Sequence, residues 1–140
     1  MSQIVETVSG RGHEHVAATH GSTFEVTTDD WLTPAGDCIV GVAADRAPAS
    51  FDPAFVDACR DADATVRVVL RADGHEWRTR ARGHPDLTFA SARSLVVRTS
   101  DYVDDRTVAV GAADAAAAVD RDLVAALAAG APLSVELRVE

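Results

Sequence analysis

The chain has 140 residues, 47% of them apolar, which suffices for one domain with a real core. No run of about eighteen apolar residues is present, so no helix is expected to span a membrane, and the first residues lack the basic-then-apolar order of a signal peptide; a cytoplasmic protein is expected. There are 22 acids against 13 bases, a net charge of −9, and every base is arginine. That balance argues against a protein that coats nucleic acid through charge alone. Nucleic acid is not favoured as a partner, although a salt-adapted binder can carry an acidic exterior. Abundant acid and alanine without lysine fit a protein adapted to concentrated salt. GC-rich codon usage produces the same bias.

In chain order, Ile4 to Val8 alternates apolar and polar residues as a half-wet strand does, and Thr23 to Thr27 follows suit. Thr33-Pro34-Ala35-Gly36-Asp37 reads as a turn, and Ile39 to Val42 as a more deeply buried strand. Asp52 is a natural N-cap with Pro53 at the first helical position, and Phe55, Val56 and Cys59 then share one helical face. Thr65 to Leu70 alternates again. Asp73-Gly74 is a turn, after which a strand starts near His75. Ser94 to Arg98 and Thr107 to Val110 repeat the earlier pair of strands. The alanines at 115–118 lead into a second helix capped by Asp120, with Leu123, Val124 and Leu127 at the same three spacings as in the first. Gly130 and Pro132 end it, and Ser134 to Val139 is the last strand.

Much of this is said twice. Arg11-Gly12-His13 returns as Arg82-Gly83-His84, Phe24 and Val26 as Leu95 and Val97, and Asp30-Trp31 as Asp101-Tyr102, all seventy-one residues on. Ala43-Ala44-Asp45 matches Ala112-Ala113-Asp114 at sixty-nine, an offset that also aligns Val66, Val68 and Leu70 with Val135, Leu137 and Val139. The expected architecture is a single domain of two repeats, about 3–73 and 74–140, packed about a pseudo-two-fold axis. It is mainly β: an antiparallel barrel or jelly-roll-like sandwich with two short helices closing its ends.

Several residues carry candidate chemistry. His13 and His84 place an imidazole beside a glycine twice, although a ring bonded to the backbone of its own turn gives the same signal. His13, His20 and His84, with Cys38, are the set from which a zinc site would have to come, but no diagnostic ligand spacing supports a metal. His15 lies two residues from His13 and shares its face if the segment is extended. At the offset of sixty-nine, Asp37 faces Arg106 across the axis as an ion pair, with Cys38 beside it at the position of Thr107. Arg11, Arg82, Arg98 and Arg106 offer forks for a phosphate or carboxylate. Cys59, matched by Leu127, reads as a buried small apolar residue, and two cysteines in an intracellular setting are expected to stay unpaired. Nucleotide-loop and nucleophile-elbow motifs are absent, and aromatics are too sparse for a base-stacking platform.

Taken in order, Arg11-Gly12-His13, Ala18-Thr19-His20, Thr23-Phe24-Glu25-Val26-Thr27, Leu32-Thr33-Pro34 and Gly36-Asp37-Cys38-Ile39 closely resemble the archaeal domain-of-unknown-function family 371. Gly83-His84-Pro85, Val97-Arg98-Thr99-Ser100 and Asp105-Arg106-Thr107 continue the resemblance through the second half. It implies an archaeal protein of mainly β, jelly-roll-like fold and brings no established activity with it; the salt-adapted composition points to a haloarchaeal member. Ser91, the counterpart of His20, departs from the histidine expected there, which rules out a symmetric four-histidine site. The leading functional expectation is a small anionic, phosphate-bearing ligand or nucleotide bound at the pseudo-two-fold interface. His13, His20 and His84 would line that site, Arg11, Arg82 and Arg106 would supply charge, and Asp37 would orient an arginine. A non-catalytic protein-interaction module and a metal-dependent hydrolase are the alternatives.

Overall fold

A computed structural model describes residues 4–140. Eight strands form two four-stranded sheets. Sheet A runs β1 (Ile4–Arg11), β8 (Pro132–Val139), β4 (Thr65–Ala72), β5 (His75–Arg82), antiparallel throughout. Sheet B runs β3 (Ile39–Gly41), β2 (Thr23–Thr27), β6 (Ser94–Arg98), β7 (Thr107–Ala109); its central pair is antiparallel and its outer pairs are parallel. Two helices, α1 (Pro53–Cys59) and α2 (Arg121–Ala128), each follow a short 3-10 turn. The molecule is mainly β with two helices, as the alternation and the caps imply. Asp52 accepts from Ala54 N–H at 2.8 Å and Asp120 from Leu123 N–H at 3.0 Å, satisfying one orphan donor in each first turn.

Both strand orders read the same when the halves are exchanged, so one pseudo-two-fold axis passes through the middle of each sheet. In sheet A it runs through the pair Val69 and Glu136, and in sheet B through Glu25 and Val96. Within the named strands, only the parallel pairs β2–β3 and β6–β7 join elements of one half. The pairs β1–β8, β4–β5, β4–β8 and β2–β6 all cross between halves. Phe24, Val26, Leu95 and Val97 of sheet B meet Val8, Val66, Val68, Leu70, Val135 and Leu137 of sheet A in one continuous core, which Phe24 closes edge-on against Trp77. The halves are joined by Asp73-Gly74, both with positive φ, the two-residue turn that a twisted hairpin favours.

The sheets do not close into the barrel that the alternation suggested. They touch at each seam through a single antiparallel bridge, Arg11 to Val42 on one side and Arg82 to Val110 on the other. Arg11 N–H donates to Val42 at 3.0 Å and Arg82 N–H to Val110 at 2.7 Å, and beyond these points the ladders stop.

The backbone bonds also correct the repeat alignment. Glu25 N–H donates to the Cys38 carbonyl as Val96 N–H does to Arg106, and Ala44 N–H to Thr27 as Ala112 N–H does to Arg98. The loop after β6 is therefore three residues shorter than its counterpart, not two. Asp37 corresponds to Asp105, Cys38 to Arg106 and Ile39 to Thr107. After the helices the offset falls again: Gly12 bonds Ala131 as Gly83 bonds Ala64, so Val68 answers to Val135 and not to Leu137.

Candidate functional site

The Gly-His turns are built from close packing. A Cβ on Gly12 would run into the backbone of Leu127 at the end of α2, and one on Gly83 into the carbonyls of Cys59 and Asp61 at the end of α1. Each glycine thus lets one half's strand end abut the other half's helix. The histidine that follows turns back on its own loop. His13 Nδ1 accepts from His15 N–H at 3.1 Å, and His84 Nδ1 from Asp86 N–H at 3.0 Å. With Nδ1 accepting, the neutral ring carries its proton on Nε2, which leaves no ring lone pair for a metal unless the turn is rebuilt. His15 stacks obliquely on His13, ring centroids 5.3 Å apart.

His20 does the same work. Its Nδ1 accepts from the N–H groups of Ser22 and Thr23, both at 3.2 Å, and in the other half Ser91 Oγ accepts from Arg93 at 3.1 Å and Ser94 at 3.2 Å. Histidine and serine are interchangeable caps for this turn, which explains the departure from symmetry at position 91.

The three histidines do not gather. β1 and β5 are the two edges of sheet A and run in opposite directions, so Arg11-Gly12-His13 and Arg82-Gly83-His84 sit at diagonally opposite corners. Three strand spacings across and eight residues along place them on the order of 30 Å apart. Among the described residues no three His, Cys, Asp or Glu side chains come together in a metal-binding group.

Other predicted residues do meet, at the sheet B end of the axis. Glu25 stands on the axis with its side chain 14% exposed, and the equivalent residues Cys38 and Arg106 reach it from opposite sides: Sγ lies 3.7 Å from Oε1, and Arg106 Nη1 3.7 Å from the same oxygen. Burial, then the neighbouring Glu25 carboxylate, pushes the Cys38 thiol up, so it stays protonated and serves as a weak donor. Arg106 does not pair with Asp37. Its partner is Asp104 at 3.1 Å, and Asp37 contributes its carbonyl, which accepts from Thr19 at 3.0 Å and His20 at 3.2 Å. The correct three-residue deletion removes Asp37 from the position opposite Arg106, and with it the expected ion pair. Asp104 is a hub. Burial works against its charge, but bonds from Thr107 and Arg106 and the charge of Arg98 outweigh it and hold the carboxyl down to about 2. Cys59 lies in the core and burial pushes its thiol up to about 12. Both cysteines are free.

Comparison with known proteins places this geometry in a lineage. A family model described as Domain of unknown function (DUF371) matches residues 8–140, which takes in both Gly-His turns, both helices and both ends of the axis. The chain belongs to the DUF371 family. An uncharacterized protein of the archaeon Methanocaldococcus jannaschii is 33% identical over 132 residues, covering 94% of this chain and 97% of that relative. In this DUF371 chain no described helix is long and apolar enough to cross a membrane.

One constellation escaped the sequence reading. The pairing of β8, β4 and β5 sets Arg138 opposite Arg67 and Arg67 opposite Arg80, a row of three arginines across adjacent strands on the outer face of sheet A. Arg78, opposite Val69 on the axis, stands one row along. Together they line a cleft of about 290 Å³ with Val69 in it and Asp114 at its margin. Arg67 binds Glu140 at 2.8 Å, Arg78 binds Glu76 at 3.0 Å and Arg138 binds Glu136 at 2.9 Å. Arg80 makes no ion pair or side-chain hydrogen bond among the described residues, and Arg138 Nε is buried without a partner. The signal lay in the alternation Arg78-Thr79-Arg80-Ala81-Arg82, which puts three arginines on one face of β5. The row itself depends on a register joining residues 67, 80 and 138, which the sequence does not display.

Proposed function

We propose that this protein binds a small anionic molecule, bearing phosphate or carboxylate, in the arginine cleft on the outer face of sheet A. The observation that carries this reading is the in-register row Arg138, Arg67, Arg80. Like charges placed directly opposite on neighbouring strands cost stability, and seven of the chain's thirteen arginines stand on the outer face of sheet A although the chain is acidic overall. An anion laid across the row turns that repulsion into charge-assisted bonds, and guanidinium forks suit phosphate and carboxylate geometry. Arginine stays protonated and supplies charge, not acid or base, so the reading is one of binding. The cleft draws on β4 from the first repeat and β5 and β8 from the second, which supports reading the two repeats, about 3–73 and 74–140, as one functional domain. The anion of the earlier expectation is kept and its residues are replaced: His13, His20, His84, Arg11, Arg82, Asp37 and Arg106 lie outside this cleft.

The test is thermal unfolding with phosphate, pyrophosphate, citrate and a nucleoside diphosphate, each against chloride at matched ionic strength. It is repeated in molar KCl for the salt adaptation read from the composition and the cytoplasmic setting expected of the chain. A ligand at a hundred times its Kd adds about 2.7 kcal/mol, and Arg80→Met with Arg67→Met removes that gain. A gain equalled by chloride, or unchanged in the double variant, overturns the reading.

A further inference from the structure

The two repeats treat the space outside β2 and β6 differently. On β6, Arg98 donates from Nε to Thr107 Oγ1 and from Nη2 to Asp104, both at 2.9 Å, and lies over the Tyr102 ring with its guanidinium carbon 4.9 Å from the centroid. The side chain is only 12% exposed. By the corrected alignment the counterparts of Arg98, Tyr102, Asp104 and Thr107 are Thr27, Trp31, Gly36 and Ile39. All four of these line one open cleft of about 390 Å³ on the outer face of sheet B. Thr27 is too short to reach Trp31 and bonds back to Asp29 N–H at 3.1 Å instead. The cleft is the space that Arg98 fills in the second repeat, left open in the first.

What surrounds that space selects a cation. Trp31, the better cation-binding ring of the two, is 56% exposed, in a chain whose aromatic content is 5%. The Glu25 carboxylate also lines the cleft. Its contacts, a weak bond from the Cys38 thiol and the charge of Arg106, both fall on Oε1 at 3.7 Å, and Oε2 accepts no hydrogen bond among the described residues, so acceptor sites remain. Glu25 thus supplies from the strand the acid that Asp104 supplies from the loop in the other repeat. Of the two arginines at the rim, Arg93 is paired with Asp29 at 2.7 Å, while Arg106 divides between Asp104 at 3.1 Å and Glu25 at 3.7 Å, so an incoming cation shares Glu25 with Arg106. A planar, weakly hydrated cation that stacks on an aromatic face and donates sideways satisfies both walls.

We propose that this cleft binds a planar guanidinium group, stacked on Trp31 and donating to Glu25, in the place that Arg98 holds in the other repeat. The group comes either from a free small molecule or from an arginine side chain of a peptide.

The experiment titrates the intact protein with agmatine, L-arginine and a doubly blocked arginine peptide, reading tryptophan fluorescence. Citrulline, planar but neutral, and lysine, charged but not planar, are the controls. The expected result is a saturable change with at least one guanidinium probe, roughly tenfold or more weaker with both controls. Binding of all three probes assigns the site to the guanidinium itself, and binding of the blocked peptide alone assigns it to a side chain. Thr27→Arg, which fills the cleft from within as Arg98 does, should abolish the change. Glu25→Gln and Trp31→Leu, followed by calorimetry, should weaken binding by a similar factor and stand in should Thr27→Arg misfold. Citrulline binding as tightly as arginine, no saturation with any guanidinium probe, or full binding in folded Thr27→Arg overturns the proposal.

Discussion

The two Gly-His turns and the two ends of the pseudo-axis are the most conspicuous regions of this molecule, and they behave in opposite ways. At the turns the halves agree in Arg-Gly-His, and the agreement serves packing and capping: a glycine against a helix end, an imidazole Nδ1 capping a loop. At the axis the halves meet in unlike pairs, Glu25 with Val96 and Val69 with Glu136. The neighbouring equivalents differ as well, Cys38 from Arg106 and Thr27 from Arg98. Here bonding capacity is left over. In a duplicated fold, agreement between copies marks what both halves need in order to pack, and departure marks what one copy has been freed to do.

Departure alone is not sufficient. Glu6 and its counterpart Trp77 differ as much as any pair, yet Glu6 is buried and fully engaged, by Arg46 at 2.5 and 3.1 Å and by Asp52 N–H at 2.5 Å. That is a structural pair peculiar to one half. The criterion is a difference between copies together with unspent donors or acceptors, and it selects Arg80, whose counterpart is Ser9, on sheet A and Glu25, whose counterpart is Val96, on sheet B.

The largest expected effect is at the turns. Gly12→Ala and Gly83→Ala each force a methyl group into helix-end backbone. Backbone yields less readily than a side chain, so each should cost about 3 kcal/mol, at the upper end of overpacking. Thermal unfolding of the two variants checks this, and a cost below about 1 kcal/mol for both would break the assignment of the turns to scaffold.

Asp104 sharpens the other side of the comparison. Its carboxyl titrates near 2, below its ordinary 3.8. A depressed carboxylate contributes stability that is fully present above the unfolded value and is lost as pH falls through the folded one. Asp104→Asn should therefore be less stable than the parent by about 1–2 kcal/mol at pH 7, the partial exposure of the site reducing the value the shift alone implies. That deficit should shrink between pH 4 and about 2. Unfolding of both proteins across that range decides it, and a deficit that is independent of pH would assign Asp104 to packing alone.

How far the sequence carried depended on whether a signal was local. Strand alternation, the caps Asp52 and Asp120 and the Asp73-Gly74 turn are written within a few residues, and all stand in the structure. The alignment of the halves is not local. Its offset drifts from seventy-one to sixty-eight to sixty-seven as loops shorten, and the matching letters Ala-Ala-Asp drew it one residue too far. Val66, Val68 and Leu70 were matched two positions out, which kept their inward face correct and their counterparts wrong. A pleated strand forgives that error; a loop does not, and the Asp37–Arg106 pair was lost to it. The arginine row and the vacated Arg98 space depend on registers between distant strands, so neither could be read before the strands were paired.

The smallest expected effect is the most discriminating. If His20 is a turn cap and nothing more, the molecule already contains its replacement in Ser91, whose hydroxyl accepts from the same two successive N–H groups. His20→Ser should then change stability by less than about 0.5 kcal/mol, whereas His20→Ala, which leaves the turn uncapped, should cost about 1 kcal/mol. Anion binding at the sheet A cleft should be the same in both variants. A histidine that took part in ligand binding would show the reverse pattern, with serine and alanine equally damaging to affinity. The ordering of two conservative substitutions at one residue therefore separates scaffold from site where an alanine scan would record only a loss.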